Sequence, residues 1–179
     1  MDFVYEMGTT TRHADLVSEI MYQIKYKFYE FFKQGKFRPL QEQLSLAYLG
    51  DYKDLSSVSL IDVTDESVAN DIKINLLNCV QPDFFYYMNN KFITNTEETR
   101  YIGTPDLIVE VWSSANSRAH MLFKETLYST SKNTEHWYIQ QDSNLVDCRF
   151  GTHLLDKQNL AEPLITQSGI TLDLTHLAL

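Results

Sequence analysis

The sequence predicts a mixed α/β domain at the border with the α+β class, and three features of the chain favour this class. Residues 12–33 have apolar side chains at the three- and four-residue spacing of an amphipathic helix. Short runs of β-branched and aromatic residues follow, as is typical of strands. The apolar strand 107–112 then precedes a helical stretch, 117–131, and another strand, 136–139, which predicts a right-handed parallel crossover.

The N-terminal helix is expected to bury one stripe and to end near Gly35. His13 lies one turn before the first residue of that stripe, so it is expected at the buried edge of the helix, whereas Glu19 is expected toward solvent. The predicted stripe consists of Val17, Ile20, Met21, Ile24, Phe28 and Phe31.

Further strands and turns are predicted on both sides of the crossover. A hairpin is expected from strands 136–139 and 145–150, closed by residues 141–144. The other predicted elements are strands at 43–48, 57–63, 72–77 and 80–87, a turn at 89–90, and a loop or short strand at 91–104.

Length and composition indicate one globular domain over residues 1–179. The chain is 44% hydrophobic and 13% aromatic, which excludes a disordered protein. No apolar stretch approaches the roughly 18 residues that span a bilayer, and the first residues lack the order of a signal peptide, so a cytoplasmic location is expected. Cys148 alternates with Val146 and Phe150, which favours a buried thiol, and no disulfide with Cys79 is expected.

Aromatic residues are abundant, with 11 Tyr, 10 Phe and 2 Trp. The tyrosines, Trp112 and Trp137 are interpreted as core residues. One small core has limited capacity for so much aromatic area, and we therefore expect a homodimer.

The net charge of −9 argues against general affinity for nucleic acid, since that affinity comes from basic side chains that displace phosphate counterions. The charge is unevenly distributed, however: residues 25–38 carry +4 and the remainder −13. Interleaved aromatic residues make this segment a candidate nucleic-acid surface, and a solvated helix flank is the alternative interpretation. Its basic residues are Lys25, Lys27, Lys33, Lys36 and Arg38.

Two acids lie in strand-forming runs where a carboxylate needs a partner. Glu110 interrupts the apolar strand 107–112, and burying it unpaired would cost several kcal/mol. Asp83 stands at the start of a second, aromatic run, and Lys124 follows in the predicted helix 117–131. Two acids on two strands with a lysine soon after are typical of a divalent-metal phosphodiesterase site.

Seven motifs occur in a characteristic order along nearly the whole chain. They are an early helical histidine, a Pro-Asp strand, a second Pro-Asp strand ending in Glu-Val, a serine-rich link, a Lys-x-x-x-Tyr helix, a Glu-x-Trp strand and a late Gly-x-x-Leu-Asp-Leu segment. In this order and at these spacings, the sequence resembles the Uma-two-type family of restriction-endonuclease-like proteins. The residues that carry the resemblance are His13, Pro82-Asp83, residues 105–111, Ser113, Lys124 with Tyr128, Glu135 with Trp137, and residues 169–174.

The resemblance implies the PD-(D/E)XK nuclease fold, a restriction-endonuclease-like mixed sheet flanked by the long N-terminal helix and the crossover helix. It also implies a Mg²⁺- or Mn²⁺-dependent nuclease in which Asp83, Glu110 and the carbonyl of Val111 bind the metal. Lys124 would replace the lysine that commonly lies on the same strand as the second acid, at the position of Trp112 here.

Three further residues are possible accessories of this site, namely His13, Asp106 and His120. Asp106 shares a strand face with Glu110, although its place after a proline favours a turn role. His120 stands where the family often has an aspartate four residues before the lysine, which favours reduced activity in this chain.

Each main residue also has a structural interpretation. Asp83 could cap a turn, Glu110 could form a buried ion pair with Lys124, and Lys124 could extend along apolar neighbours to solvent. His13 could be a hydrogen-bonded structural histidine.

Three functions therefore stay open from the sequence. The first is a metal-dependent endonuclease acting on nucleic acid, with DNA the expected substrate. The second is a catalytically silent nuclease-fold protein that acts as a binding or regulatory module. The third is a hydrolase of some smaller phosphate substrate.

Overall fold

The computed structural model describes residues 11–35, 37–40, 43–45, 79–88, 92–95, 100–103, 105–129, 134–151 and 153–179. Its helices are α1 (Thr11–Lys27), α2 (Tyr29–Lys33) and α3 (Arg118–Ser129), and a 3-10 turn covers Thr175–Leu177. Its strands are β1 (Phe37–Leu40), β2 (Gln43–Ser45), β3 (Cys79–Val80), β4 (Phe84–Met88), β5 (Phe92–Asn95), β6 (Arg100–Gly103), β7 (Leu107–Trp112), β8 (Glu135–Gln140), β9 (Leu145–Phe150), β10 (His153–Asn159), β11 (Leu164–Ile165) and β12 (Thr171–Leu172).

A six-stranded mixed sheet forms the centre of the fold, in the order β1-β4-β7-β8-β9-β10. Strand β4 is antiparallel to β7, and β7 is parallel to β8, so α3 is the connection between two parallel neighbours. The predicted parallel crossover and the β8–β9 hairpin are therefore confirmed. Smaller sheets are formed by β3-β2-β6-β5 and by β11-β12.

Strand β7 is buried along its whole length, as expected for a central strand covered on both faces. Alternate residues of β7 enter two apolar clusters. Leu107, Val109 and Val111 pack with the α1 residues Leu16, Val17, Ile20 and Ile24. Ile108 and Trp112 pack with residues of α3 on the other face. Glu110 lies between Ile108 and Trp112 in the sequence, so the α3 face receives its carboxylate.

The single helix predicted over residues 12–33 is wrong in one respect, because the helix is interrupted at Phe28. The backbone of Phe28 (φ −102°, ψ 21°) departs from helical values, and its ring packs 5.8 Å from the ring of Tyr86. Phe31, which the spacing predicts in the buried stripe, is exposed because it lies outside the apolar cluster that receives Phe28. The expected end near Gly35 is confirmed, and Gly35 has the positive φ of +69° that favours glycine after a helix.

Other sequence predictions differ in detail. The strand predicted at 80–87 is two strands in different sheets, since β3 pairs with β2 and β4 pairs with β7. Residues 91–104 include the strands β5 and β6. The strands at 57–63 and 72–77 and the turn at 89–90 fall outside the described residues. Cys148, Trp112 and Trp137 are buried as expected. Within the described ranges, the helices are too short or too polar to cross a membrane.

Candidate active site

Glu110 and Asp83 lie on neighbouring chain segments at the carboxyl end of β7. The antiparallel register pairs Phe84 of β4 with Val109 of β7, and continuing it by one residue sets Asp83 opposite Glu110. A hydrogen bond fixes this arrangement, since the backbone N–H of Val111 donates to Oδ2 of Asp83 over 2.7 Å. The two acids are thus neighbours in the sheet register, and a cation shared between them stays a prediction.

Glu110 is buried, and each of its oxygens accepts a hydrogen bond from α3. Lys124 Nζ lies 2.9 Å from Oε2, and the hydroxyl of Tyr128 lies 2.5 Å from Oε1. The side chain of Glu110 is 2% exposed and that of Lys124 is 12% exposed, so little solvent weakens their attraction. Lys124 and Tyr128 are one turn apart on α3, which brings both donors to the carboxylate of Glu110.

Burial raises the pKa of Glu110 to about 7, because removal from water penalises the charged form. The positive charge of Lys124 lowers this pKa in part, while the negative charge of Asp83 raises it further. The pKa of Glu110 therefore lies near neutral pH, and shifted pKa values of this kind are common in functional sites. An additional cation beside Glu110 and Asp83 would favour the ionised form.

Asp83 is held by the N-terminal helix as well as by β7. The Nε2 atom of His13 lies 3.0 Å from Oδ1 of Asp83, and the two side chains are 16% and 22% exposed. The hydrogen bond to Asp83 raises the pKa of His13 above its usual value, although burial opposes this effect. His13 thus lines the candidate site, at the partly buried helix edge expected from the sequence.

Lys124 is anchored at two points. Besides Glu110, its ammonium donates to the backbone carbonyl of Gln81 over 3.1 Å, which joins α3 to the segment before β4. An ammonium has three N–H donors, and these two contacts use two of them. The remaining donor can therefore serve a water or phosphate oxygen.

Asp106 lies away from this cluster and has a turn role. Its Oδ2 accepts the backbone N–H of Met88 over 2.7 Å, at the end of β4 opposite to Asp83. Five residues of extended chain separate Asp83 from Met88, which corresponds to roughly 16 Å. An accessory role for Asp106 at this site is therefore not supported by its position. His120 is exposed on α3.

The basic segment is described only in part. Lys25, Lys27 and Lys33 are exposed on α1 and α2. Lys36 and the side chain of Arg38 fall outside the described residues.

Sequence reasoning missed two contributors to the site, Tyr128 and the carbonyl of Gln81. The sequence predicts Tyr128 only as a core residue, and it is fully buried. The signal available in the sequence was its position four residues after Lys124, because residues at this spacing share one helix face. A backbone carbonyl leaves no signal in residue identity.

The donor set fits a small hard cation in its chemistry. Two carboxylates and a neighbouring backbone carbonyl are the oxygen ligands that Mg²⁺ combines with water and substrate oxygens. Within the described ranges no three His, Cys, Asp or Glu side chains gather as a metal cluster. The negative charge of Asp83 contributes to the raised pKa of Glu110, so the two carboxylates influence each other electrostatically.

Comparison of the sequence with protein-family profiles and with curated proteins gives no match. The fold is similar to the crystal structure of a protein from Anabaena variabilis ATCC 29413, described as "a putative nuclease belonging to DUF820". The TM-score is 0.61 at 13% sequence identity, and the match covers 96% of this chain and 84% of that one. The similarity confirms the predicted fold class, a restriction-endonuclease-like mixed α/β fold.

Proposed function

We propose that this chain is a metal-dependent endonuclease that hydrolyses phosphodiester bonds of nucleic acid, and that it belongs to the Uma-two-type family. The observation that carries this proposal is the meeting of Asp83 and Glu110 across neighbouring strands, with Lys124 bound to Glu110. The description of the Anabaena variabilis protein as a nuclease supports the same reaction and a nucleic-acid substrate.

Asp83, Glu110 and the carbonyl of Val111 would hold Mg²⁺ or Mn²⁺. A cation bound there would supply Lewis acidity toward the phosphate and lower the pKa of a coordinated water. The chain's own contribution is to keep the oxygen ligands in place. His13 and the N–H of Val111 fix the two oxygens of Asp83, and Tyr128 fixes Oε1 of Glu110.

Lys124 would act on the reacting groups. Its two described contacts hold the ammonium beside the acids, and its third donor can orient the attacking water or stabilise negative charge on the phosphate. Because the contacts lie in a partly buried place, the charge of Lys124 is more effective than at the open surface.

One observation favours a second function, a silent nuclease-fold module that binds or regulates. All four oxygens of Asp83 and Glu110 already have protein donors, from His13, Val111, Tyr128 and Lys124. A cation would have to bind lone pairs of these carboxylate oxygens that are not used in hydrogen bonds, or would have to displace one of the four donors. The net charge of −9 and His120 agree with this second function.

A cleavage assay separates the two functions. Labelled single-stranded, double-stranded and structured DNA and RNA are incubated at low salt with chelator, Mg²⁺ or Mn²⁺. If the chain is a nuclease, cleavage should occur only when Mg²⁺ or Mn²⁺ is added. Asp83→Ala and Glu110→Ala should each lose both metal binding and cleavage. Glu162→Ala, which removes an exposed acid elsewhere, should keep both. Metal binding without cleavage of any substrate would support the silent module, and equal cleavage by wild type and Glu110→Ala would reveal a contaminating nuclease.

A further inference from the structure

We infer that the solvent-facing side of α1 and α2 binds single-stranded nucleic acid. This surface, called the aromatic-basic face, consists of Tyr22, Lys25, Tyr26, Tyr29, Phe32 and Lys33. The inference deepens the proposed function, on which it rests for the class of substrate, but binding at this face requires no catalysis.

Three tyrosines of the face are unusually exposed. Tyr22 is 64% exposed, Tyr26 is 74% exposed and Tyr29 is 50% exposed, so the interpretation of the tyrosines as core residues is wrong for these three. Tyr22 and Tyr26 are one turn apart on α1, which places them on one side of that helix, and Tyr29 is the first residue of α2. The rings of Tyr22 and Tyr26 are nearly parallel, with centroids 6.4 Å apart and planes inclined by 23°. Such neighbouring rings provide a platform on which unpaired bases can stack.

Cationic side chains lie beside the aromatic rings. Lys25 Nζ lies 4.6 Å from the ring centroid of Phe32, and Lys33 Nζ lies 4.9 Å from that of Tyr29. Glu30 offsets part of this charge through its 2.8 Å ion pair with Lys33. Bases stacked on the tyrosines would bring their phosphates near these ammonium groups, which is the usual combination on surfaces that bind single strands.

The charge distribution favours a polyanion as the ligand of the aromatic-basic face. Residues 25–38 carry +4 in a chain whose remainder carries −13. Among the described side chains of this segment, Lys25, Lys27 and Lys33 outnumber the single acid Glu30, so a polyanion is attracted here more than to the rest of the chain. A second copy docked through the same face would bring Lys25 and Lys33 against their own equivalents. A duplex offers no free base faces to Tyr22 and Tyr26, because its bases are already stacked on each other.

Fluorescence anisotropy tests the inference. The probes are a labelled deoxythymidine 12-mer, a uridine 12-mer and a duplex of equal length, in chelator so that no cleavage occurs. We expect wild type to bind both single strands more tightly than the duplex. Tyr26→Ala should weaken binding about tenfold or more, since one base loses its stacking partner, whereas Tyr26→Phe keeps the ring and the affinity.

Salt and lysine variants test the electrostatic part. Contacts from the two lysines of the face predict a slope of about −1.4 for the logarithm of affinity against the logarithm of salt. Lys25→Gln should weaken binding and reduce this slope, whereas Lys157→Gln, which removes an exposed lysine on β10, should change neither.

Several results would overturn the inference. They are absence of single-strand binding at low salt, equal affinity for the duplex, and equal affinity of wild type and Tyr26→Ala. A Tyr26→Ala variant that binds nucleic acid normally but no longer self-associates would assign the face to a second copy. If Tyr26→Ala cleaves with unchanged KM, the inference about the aromatic-basic face is wrong while the proposed nuclease function stands. If Glu110→Ala loses cleavage but still binds single strands, binding at the aromatic-basic face is supported as separate from catalysis.

Discussion

The hydroxyl of Tyr128 donates a 2.5 Å hydrogen bond to Oε1 of Glu110, and both side chains are buried. This bond partly offsets the burial that raises the pKa of Glu110. Because Tyr128 binds Oε1, the other oxygen, Oε2, contacts Lys124, which lies one turn earlier on α3. Tyr128 is therefore a positioning residue that fixes the orientation of the carboxylate.

Replacing Tyr128 by phenylalanine should weaken metal binding and turnover. Loss of the donor destabilises the ionised carboxylate, and loss of such a partner commonly costs about 10- to 100-fold in metal affinity or activity. Isothermal titration with Mn²⁺ and a cleavage assay on the same variant measure the two effects.

Tyr138→Phe is the matched control for this prediction. Tyr138 is also buried on the α3 face, but its hydroxyl has no hydrogen-bond partner among the described residues. The control should keep wild-type metal affinity and activity. Equal effects of the two variants would show that Tyr128 acts only through general packing.

Replacing Lys124 by alanine should separate metal binding from turnover. Removal of a positive charge beside two acids leaves the metal ligands in place, so Mn²⁺ affinity should hold or rise. Turnover should fall by about 100-fold or more, the range for loss of one transition-state stabiliser. Single-turnover kinetics at saturating metal check this, and a loss of metal affinity equal to the loss of rate would contradict the assigned role.

Stability should decrease as the pH rises in the absence of metal. The pKa of Glu110 is about 7 in the folded state against a usual 4.5, so the folded state binds more protons between these values. The resulting stability is present below the lower value and is lost as the pH rises through 7, by at most about 3 kcal/mol. The raised pKa of His13 acts in the same direction. Urea unfolding in chelator at pH 5 and pH 8 measures the difference.

Glu110→Gln isolates the carboxylate in this experiment, and His13→Gln isolates the histidine. We expect Glu110→Gln to reduce the difference in unfolding free energy between the two pH values more than His13→Gln does. A pH dependence in Glu110→Gln identical to that of wild type would contradict the raised pKa of Glu110.

The sequence contains enough information to predict the central strands and the principal acids. An acid in an otherwise apolar strand needs a partner, and the structure joins Glu110 to its predicted partner Lys124 at 2.9 Å. For His13, which lies beside Asp83 on the N-terminal helix, the sequence leaves two interpretations open: an accessory of the site or a hydrogen-bonded structural histidine. Contacts between distant segments depend on tertiary packing, which residue spacing alone does not give.

The less successful predictions concern surfaces and helix ends. Helical periodicity assigned Phe31 to the buried stripe, but the stripe is buried only as far as the sheet and its apolar cluster extend. Aromatic content suggested core for Tyr22 and Tyr26, whereas their helix positions face solvent. Residue alternation predicts that Asp106 shares a strand face with Glu110, but Asp106 precedes β7 and accepts a hydrogen bond from the backbone of Met88.

A homodimer stays a prediction, and strand β10 offers a surface for it. This strand is at the edge of the six-stranded sheet, with Leu154 49% exposed and Leu155 44% exposed. An exposed edge with apolar side chains favours pairing with another strand. Light scattering should give twice the mass of 20.9 kDa, and Leu154→Lys with Leu155→Lys should reduce it to one chain. Leu122→Lys on α3 is the control, and a concentration-independent monomer mass for wild type would contradict the prediction.

A crystal soaked in Mn²⁺ shows whether Asp83 and Glu110 share one cation. We expect one anomalous peak between the two carboxylates, within roughly 2.5 Å of an oxygen of each, and its loss in Glu110→Ala crystals. Carboxylates more than roughly 8 Å apart, beyond any shared coordination sphere, or no peak there at saturating Mn²⁺, would contradict it.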